Sequence, residues 1–101
     1  MTEHDTIPSP PNLTSAQTER LALLMEECGE LIQAAGKVLR HGYDSKYPGV
    51  DNRSSLAREI GDVMVAINMM LQALDVDSAD VVDRVKEKTE GVKKYLHHQD
   101  T

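Results

Sequence analysis

Four carboxylates stand at a spacing that can do chemistry. Glu27 and Glu30 are one helical turn apart, as are Glu59 and Asp62, and both pairs lie in stretches that read as helix. Side chains three apart share a helix face, so two helices packed antiparallel would aim all four acids at one spot. Anions held that close repel, and each takes up protons unless a cation sits between them. A divalent metal with oxygen ligands resolves the conflict. With carboxylates as the donors, and no His or Cys, Mg²⁺ or Mn²⁺ is favoured over Zn²⁺. A di-iron bundle would call for Glu-x-x-His, and neither pair ends in His. The competing expectation is a helical oligomerisation or interaction module whose acids form only a solvated face. Ala66 and Met69 weigh against it, because they make the face carrying Glu59 and Asp62 apolar one turn later.

Helices must position these acids. Thr14 with Gln17 three residues on is a capping-box pattern, and the first helix is predicted from about Ser15 to His41, with Gly42 as its stop. Leu21, Leu24, Met25, Cys28, Leu31, Ile32, Ala35, Val38 and Leu39 supply its helical periodicity. A long Gly/Pro-containing connection, residues 42–52, follows. The second helix is predicted from Arg53 or Ser54 to Leu74, with Asn52 as its cap. It is apolar nearly all round, with Leu56, Ile60, Val63, Met64, Ile67, Met70, Leu71 and Leu74 as its main stripe. Such a helix is buried all round. Three helices cannot wrap it, so a homo-oligomer is expected. Asp77 offers a cap for a third helix from about Ser78 to Leu96, with a bend near Gly91. The fold expected is all-α: an antiparallel helix pair plus a third helix. Residues 1–13, with three prolines, read as an arm, and 14–98 as one domain.

Composition excludes several classes. A chain of 101 residues is one domain. Cys28 is the only cysteine, which removes any internal disulfide framework and points to a reducing compartment. No signal peptide is visible, and a cytoplasmic location is expected. The uncharged run 63–74 is too short for a bilayer span, which takes about 20 residues. A net charge of −6 argues against nucleic acid as a partner. It suits an anionic nucleotide only where bound cations invert the local field.

Glu26-Glu27-Cys28-Gly29-Glu30 followed by Glu59-Ile60-Gly61-Asp62 resembles the all-α nucleoside triphosphate pyrophosphatases, the MazG-like family. The run from Leu23 to Gly42 and the stretch from Asn52 to Val65 look like its short stand-alone phage and integron members, and the phage MazZ branch is one candidate. The resemblance covers about residues 14–95. It implies a four-helix-bundle type of oligomer, a tetramer favoured over a dimer. It implies cleavage between the α- and β-phosphates of a nucleoside triphosphate, with two or more Mg²⁺ or Mn²⁺ per site. Glu27, Glu30, Glu59 and Asp62 then hold the metals, and Glu26 holds a further ion, orients a water or stands behind the ligands. The substrate leaning is a deoxypurine, dGTP first, with dCTP, dUTP or broad house-cleaning as alternatives.

Phosphates need cations. Lys37 and Arg40 further along the first helix are candidates, each also readable as plain surface. On the third helix Lys86 or Lys88 takes the place of the lysine that relatives carry. Their asparagine is missing, with Glu90 near that position, and Lys93 or Lys94 replaces their arginine. Tyr43 and Tyr47 could stack on a base or simply cover a core edge. Asn52 could touch sugar or base instead of capping, and Asn68 is either an interface polar group or a base reader. Cys28 reads as core, and His97 and His98 as exposed.

Overall fold

The computed structural model describes residues 11–46 and 49–100. Most of the expected arm, and Tyr47, lie outside them. Three α-helices account for the described elements: α1 (Ser15–His41), α2 (Asn52–Gln72) and α3 (Ser78–Gly91), followed by a 3₁₀ turn at Val92–Lys94. No strand occurs among the described residues. None of these helices is long and apolar enough to cross a membrane.

The start of α1 is held by the capping box. Gln17 N–H donates to Thr14 Oγ1 at 3.1 Å, and Thr14 N–H donates to Gln17 Oε1 at 2.9 Å. Its end meets Gly42, whose φ of 85° and ψ of 166° suit only glycine, and whose N–H returns to the Val38 carbonyl.

The start of α2 differs from expectation. Asp51, not Asn52, is the cap: its carboxylate accepts from Ser54 N–H at 2.8 Å and from Ser54 Oγ at 3.0 Å. A carboxylate outcompetes a neutral amide here, because it takes both donors and faces the positive helix end. These hydrogen bonds hold Asp51 below the usual carboxylate range. Asn52 turns inward instead, 1 % exposed, and its Nδ2 donates to the Gly42 carbonyl at 2.9 Å. Backbone bonds from Asn52 N–H to Ser45 O and from Arg53 N–H to Tyr43 O close the connection. The end of α1 is thereby tied to the start of α2.

At the other end, α2 stops at Gln72, two residues short of the expected Leu74. Leu74 adopts φ 61°, its N–H bonds to the Leu71 carbonyl, and Asp75 N–H bonds to the Met70 carbonyl. This is a Schellman closure with leucine where glycine is usual. It carries Asp75 back to Arg20 near the start of α1, and a two-pronged ion pair forms. The two ties, Asn52 to Gly42 and Arg20 to Asp75, fix α1 and α2 as an antiparallel pair.

The seam between them is thin. Val63, Ala66 and Met70 are the buried apolar residues among those described. They run down one line of α2 that begins, a turn earlier, at Glu59. The outer stripe of α2 faces away from α1 and is exposed: Ile60 45 %, Met64 64 % and Ile67 40 %. Asp77 caps α3 as expected, accepting from Ala79 N–H at 2.8 Å. The helix ends at Gly91, earlier than the expected Leu96, as the backbone tightens into the 3₁₀ turn. It does not pack substantially on α1 or α2. Val76, Val81, Val85 and Val92 line an open apolar groove along it, about 840 Å³ in volume.

Candidate metal centre

The thin seam ends in acid. Glu27 and Glu30 come from consecutive turns of α1, and Glu59 and Asp62 from consecutive turns of α2. One oxygen from each lies within 4.8 Å of every other. Helical spacing puts each pair on the side facing the other helix, and the Asn52–Gly42 tie sets the register that brings the pairs level.

The electrostatics are unresolved within the protein. Glu27 Oε2 and Glu59 Oε2 are buried without a hydrogen-bond partner. The ion pairs among the described residues lie elsewhere. Burial pushes the Glu27 carboxyl above its ordinary range, and Glu30, Asp62, Glu26 and Glu59 push it further. Burial likewise raises Glu59, helped by contact with Glu30 and by Asp62, while Arg58 opposes the rise. Buried carboxylate oxygens without donors cost free energy. A divalent cation would satisfy two orphaned anionic oxygens at once, so the donor set fits hard cations such as Mg²⁺ or Mn²⁺.

Beside the acids is a cavity of about 440 Å³, lined by Glu30, Glu59 and Asp62 together with Ser54, Ser55 and Arg58. That volume lies in the range of small-molecule sites. Glu26 is exposed and outside the four-acid cluster, though its charge is felt at Glu27.

The expected substrate contacts separate from the acids. Lys37, Arg40 and Lys86 do not line this cavity; Arg40 and Lys86 are exposed and Lys37 is half-buried. Asn52 is committed to the Gly42 carbonyl, and its own Oδ1 is buried without a partner. Tyr43 is 47 % exposed, and the Arg53 guanidinium lies over its ring, 4.6 Å from the centroid. Asn68 is exposed, and Cys28 is half-buried rather than core. Arg58 was not anticipated from the sequence. Its signal is the spacing to Asp62, four residues on and therefore on the same helix face.

Residues 15–97 match the model of the MazG nucleotide pyrophosphohydrolase domain. No curated protein and no solved structure matches the chain.

Proposed function

Since the chain belongs to the MazG nucleotide pyrophosphohydrolase family, we propose that it is a Mg²⁺- or Mn²⁺-dependent nucleoside triphosphate pyrophosphohydrolase. It splits the α–β phosphoanhydride of a (d)NTP with water, giving (d)NMP and pyrophosphate. The observation that carries this reading is the cluster of four carboxylates with two buried, unpartnered oxygens. Glu27, Glu30, Glu59 and Asp62 hold the ions, two or more per site. Bound there, the ions neutralise phosphate oxygens and lower the pKa of water. The carboxylates fix the ions relative to the helix seam. Glu26, one step round α1 and exposed, orients the attacking water or supports Glu27 from outside. The functional unit spans residues 14–98 and acts in the cytoplasm.

The protein works as a homo-oligomer, a tetramer rather than a dimer. Support comes from the exposed apolar stripe of α2 and the open groove of α3, since single chains rarely leave contiguous apolar surface of this kind in water. The preferred substrate is a deoxypurine nucleotide, dGTP first. That choice rests on the resemblance to the phage MazZ branch, with the half-exposed loop tyrosine, Tyr43, as a ring on which a base could stack.

A pyrophosphate-release screen over the common dNTPs and NTPs, with Mn²⁺ or Mg²⁺, tests the reading. Pyrophosphate from dGTP is expected. Orthophosphate as the first product would show that a different bond is cut. Pyrimidines turning over at least about tenfold faster would overturn the purine choice, and equal turnover of all substrates would replace it with a house-cleaning role. Light scattering that gives a monomer at micromolar concentration would refute the assembly.

A further inference from the structure

We infer that Arg58 is the protein cation that grips the substrate's polyphosphate beside the four-acid cluster; this rests on the pyrophosphohydrolase reading above. Three observations lead there. First, among the described residues lining the acid cavity, Arg58 is the one that is positively charged. The cations expected to meet phosphate, Lys37, Arg40 and Lys86, are absent from that lining.

Second, the Arg58 side chain is uncommitted. Arg20 is paired with Asp75, Arg53 with Asp44, Arg84 with Glu87 and Lys93 with Glu90. Arg58 forms no ion pair or hydrogen bond with a described residue, although Asp62 stands at the i+4 position on its own helix.

Third, the other local source of positive charge is already used. The start of α2 also borders this cavity, but the Asp51 carboxylate takes the Ser54 N–H and Oγ–H. An anion arriving there would meet a carboxylate. Charge balance then isolates Arg58. Two divalent ions would only cancel the four carboxylates and leave the polyphosphate's own charge unmatched. A guanidinium offers paired N–H donors that fit two phosphate oxygens at once, which a point charge does not.

The test measures binding of inorganic tripolyphosphate in the presence of Mn²⁺ by calorimetry, on the full chain, for wild type, Arg58→Gln and Arg58→Lys. Mn²⁺ alone is titrated in parallel, and melting curves are recorded for each variant. Arg58→Gln should weaken tripolyphosphate about tenfold or more, a loss of one charge-assisted contact. Arg58→Lys should fall between it and wild type. Mn²⁺ alone should bind Arg58→Gln as well as or better than wild type, because a repelling cation has gone. In turnover, Arg58→Gln should raise KM for the nucleotide.

Equal tripolyphosphate binding by wild type and Arg58→Gln would overturn the inference, as would no binding by wild type. A loss matched by an equal loss of Mn²⁺ affinity or of thermal stability would also overturn it, since that pattern marks a helix-surface pair with Asp62. The parent reading fails separately. Wild type that releases no pyrophosphate from any nucleotide, yet binds tripolyphosphate through Arg58, sinks the enzyme and leaves the anion site standing.

Discussion

Arg20 and Asp75 form a two-pronged ion pair across the open end of the α1–α2 hairpin, Nε to Oδ2 at 2.5 Å and Nη2 to Oδ1 at 2.9 Å. Their side chains are only 19 % and 10 % exposed. Fifty-five positions separate them in the chain, so the pair closes nearly the whole hairpin.

Removing one partner strands the other in a half-buried place. Arg20→Gln and Asp75→Asn should each lower Tm, and the double substitution should cost less than the two singles added. Thermal melts of the four proteins check this. Full additivity would show that the pair does not couple the helices.

The same pair sets the acid limit of stability. Arg20 holds the Asp75 carboxyl below its ordinary value. The stability it contributes is therefore present above the unfolded carboxylate pKa, about 3.9, and is lost as pH falls through the depressed folded value. Glu27 and Glu59 have the opposite sign, because their folded values are raised. Their contribution is full below the unfolded pKa of about 4.3 and is lost as pH rises through the raised values. Metal-free protein should accordingly gain Tm as pH falls from neutral towards the unfolded carboxylate range. Mn²⁺ should flatten that slope by satisfying the ionised form. Melts with and without Mn²⁺ read both effects.

Neutralising one acid separates function from folding. Glu30→Gln or Asp62→Asn should abolish turnover and the Mn²⁺-dependent rise in Tm. The helical circular-dichroism signal should be kept, and the metal-free Tm should stay level or increase as repulsion drops. A collapse of the helical signal would mean that these acids hold the fold together.

Asn52 is an interior polar strut. Asn52→Leu removes the donor to the Gly42 carbonyl and leaves that group unpaired. A loss of about 1–3 kcal/mol in urea denaturation is expected. Leu74 makes the contrary case, with φ at 61° and 84 % exposure. Leu74→Gly relieves the left-handed strain, offset partly by chain entropy, and should stabilise by roughly 0.5–1 kcal/mol.

Helix existence and the meeting of the four acids were legible in the sequence, because both follow from spacing alone. Thr14, Gly42 and Asp77 marked real boundaries for the same reason: capping chemistry is local. The errors lie where a choice between neighbours depended on tertiary structure. Asp51 and Asn52 can each cap a helix, and the outcome turned on the Gly42 carbonyl waiting for Asn52 on the inside. Leu74 offers no stop signal of its own, and the chain turns there because Asp75 reaches Arg20. On α2, periodicity put Val63 and Met70 in one stripe with Ile60, Met64 and Ile67, and could not tell which part of it meets α1. The line through Val63, Ala66 and Met70 won, and the line through Ile60, Met64 and Ile67 was left outside. Arg58 stayed hidden because an exposed arginine ahead of an aspartate reads as ordinary surface.

With three apolar side chains buried among the described residues, a protomer of the proposed oligomer would have little of its own to hold it, and its folded population would become a matter of mass action. A mutational scan scored on turnover would then mislead. Charges placed at the exposed Ile67 or Val85, which are not members of the four-acid cluster, would register as dead enzyme alongside Glu30→Gln. Protein concentration separates the two groups. Raising it should restore activity to the outer-face variants in proportion to reassembly, and should do nothing for a missing carboxylate.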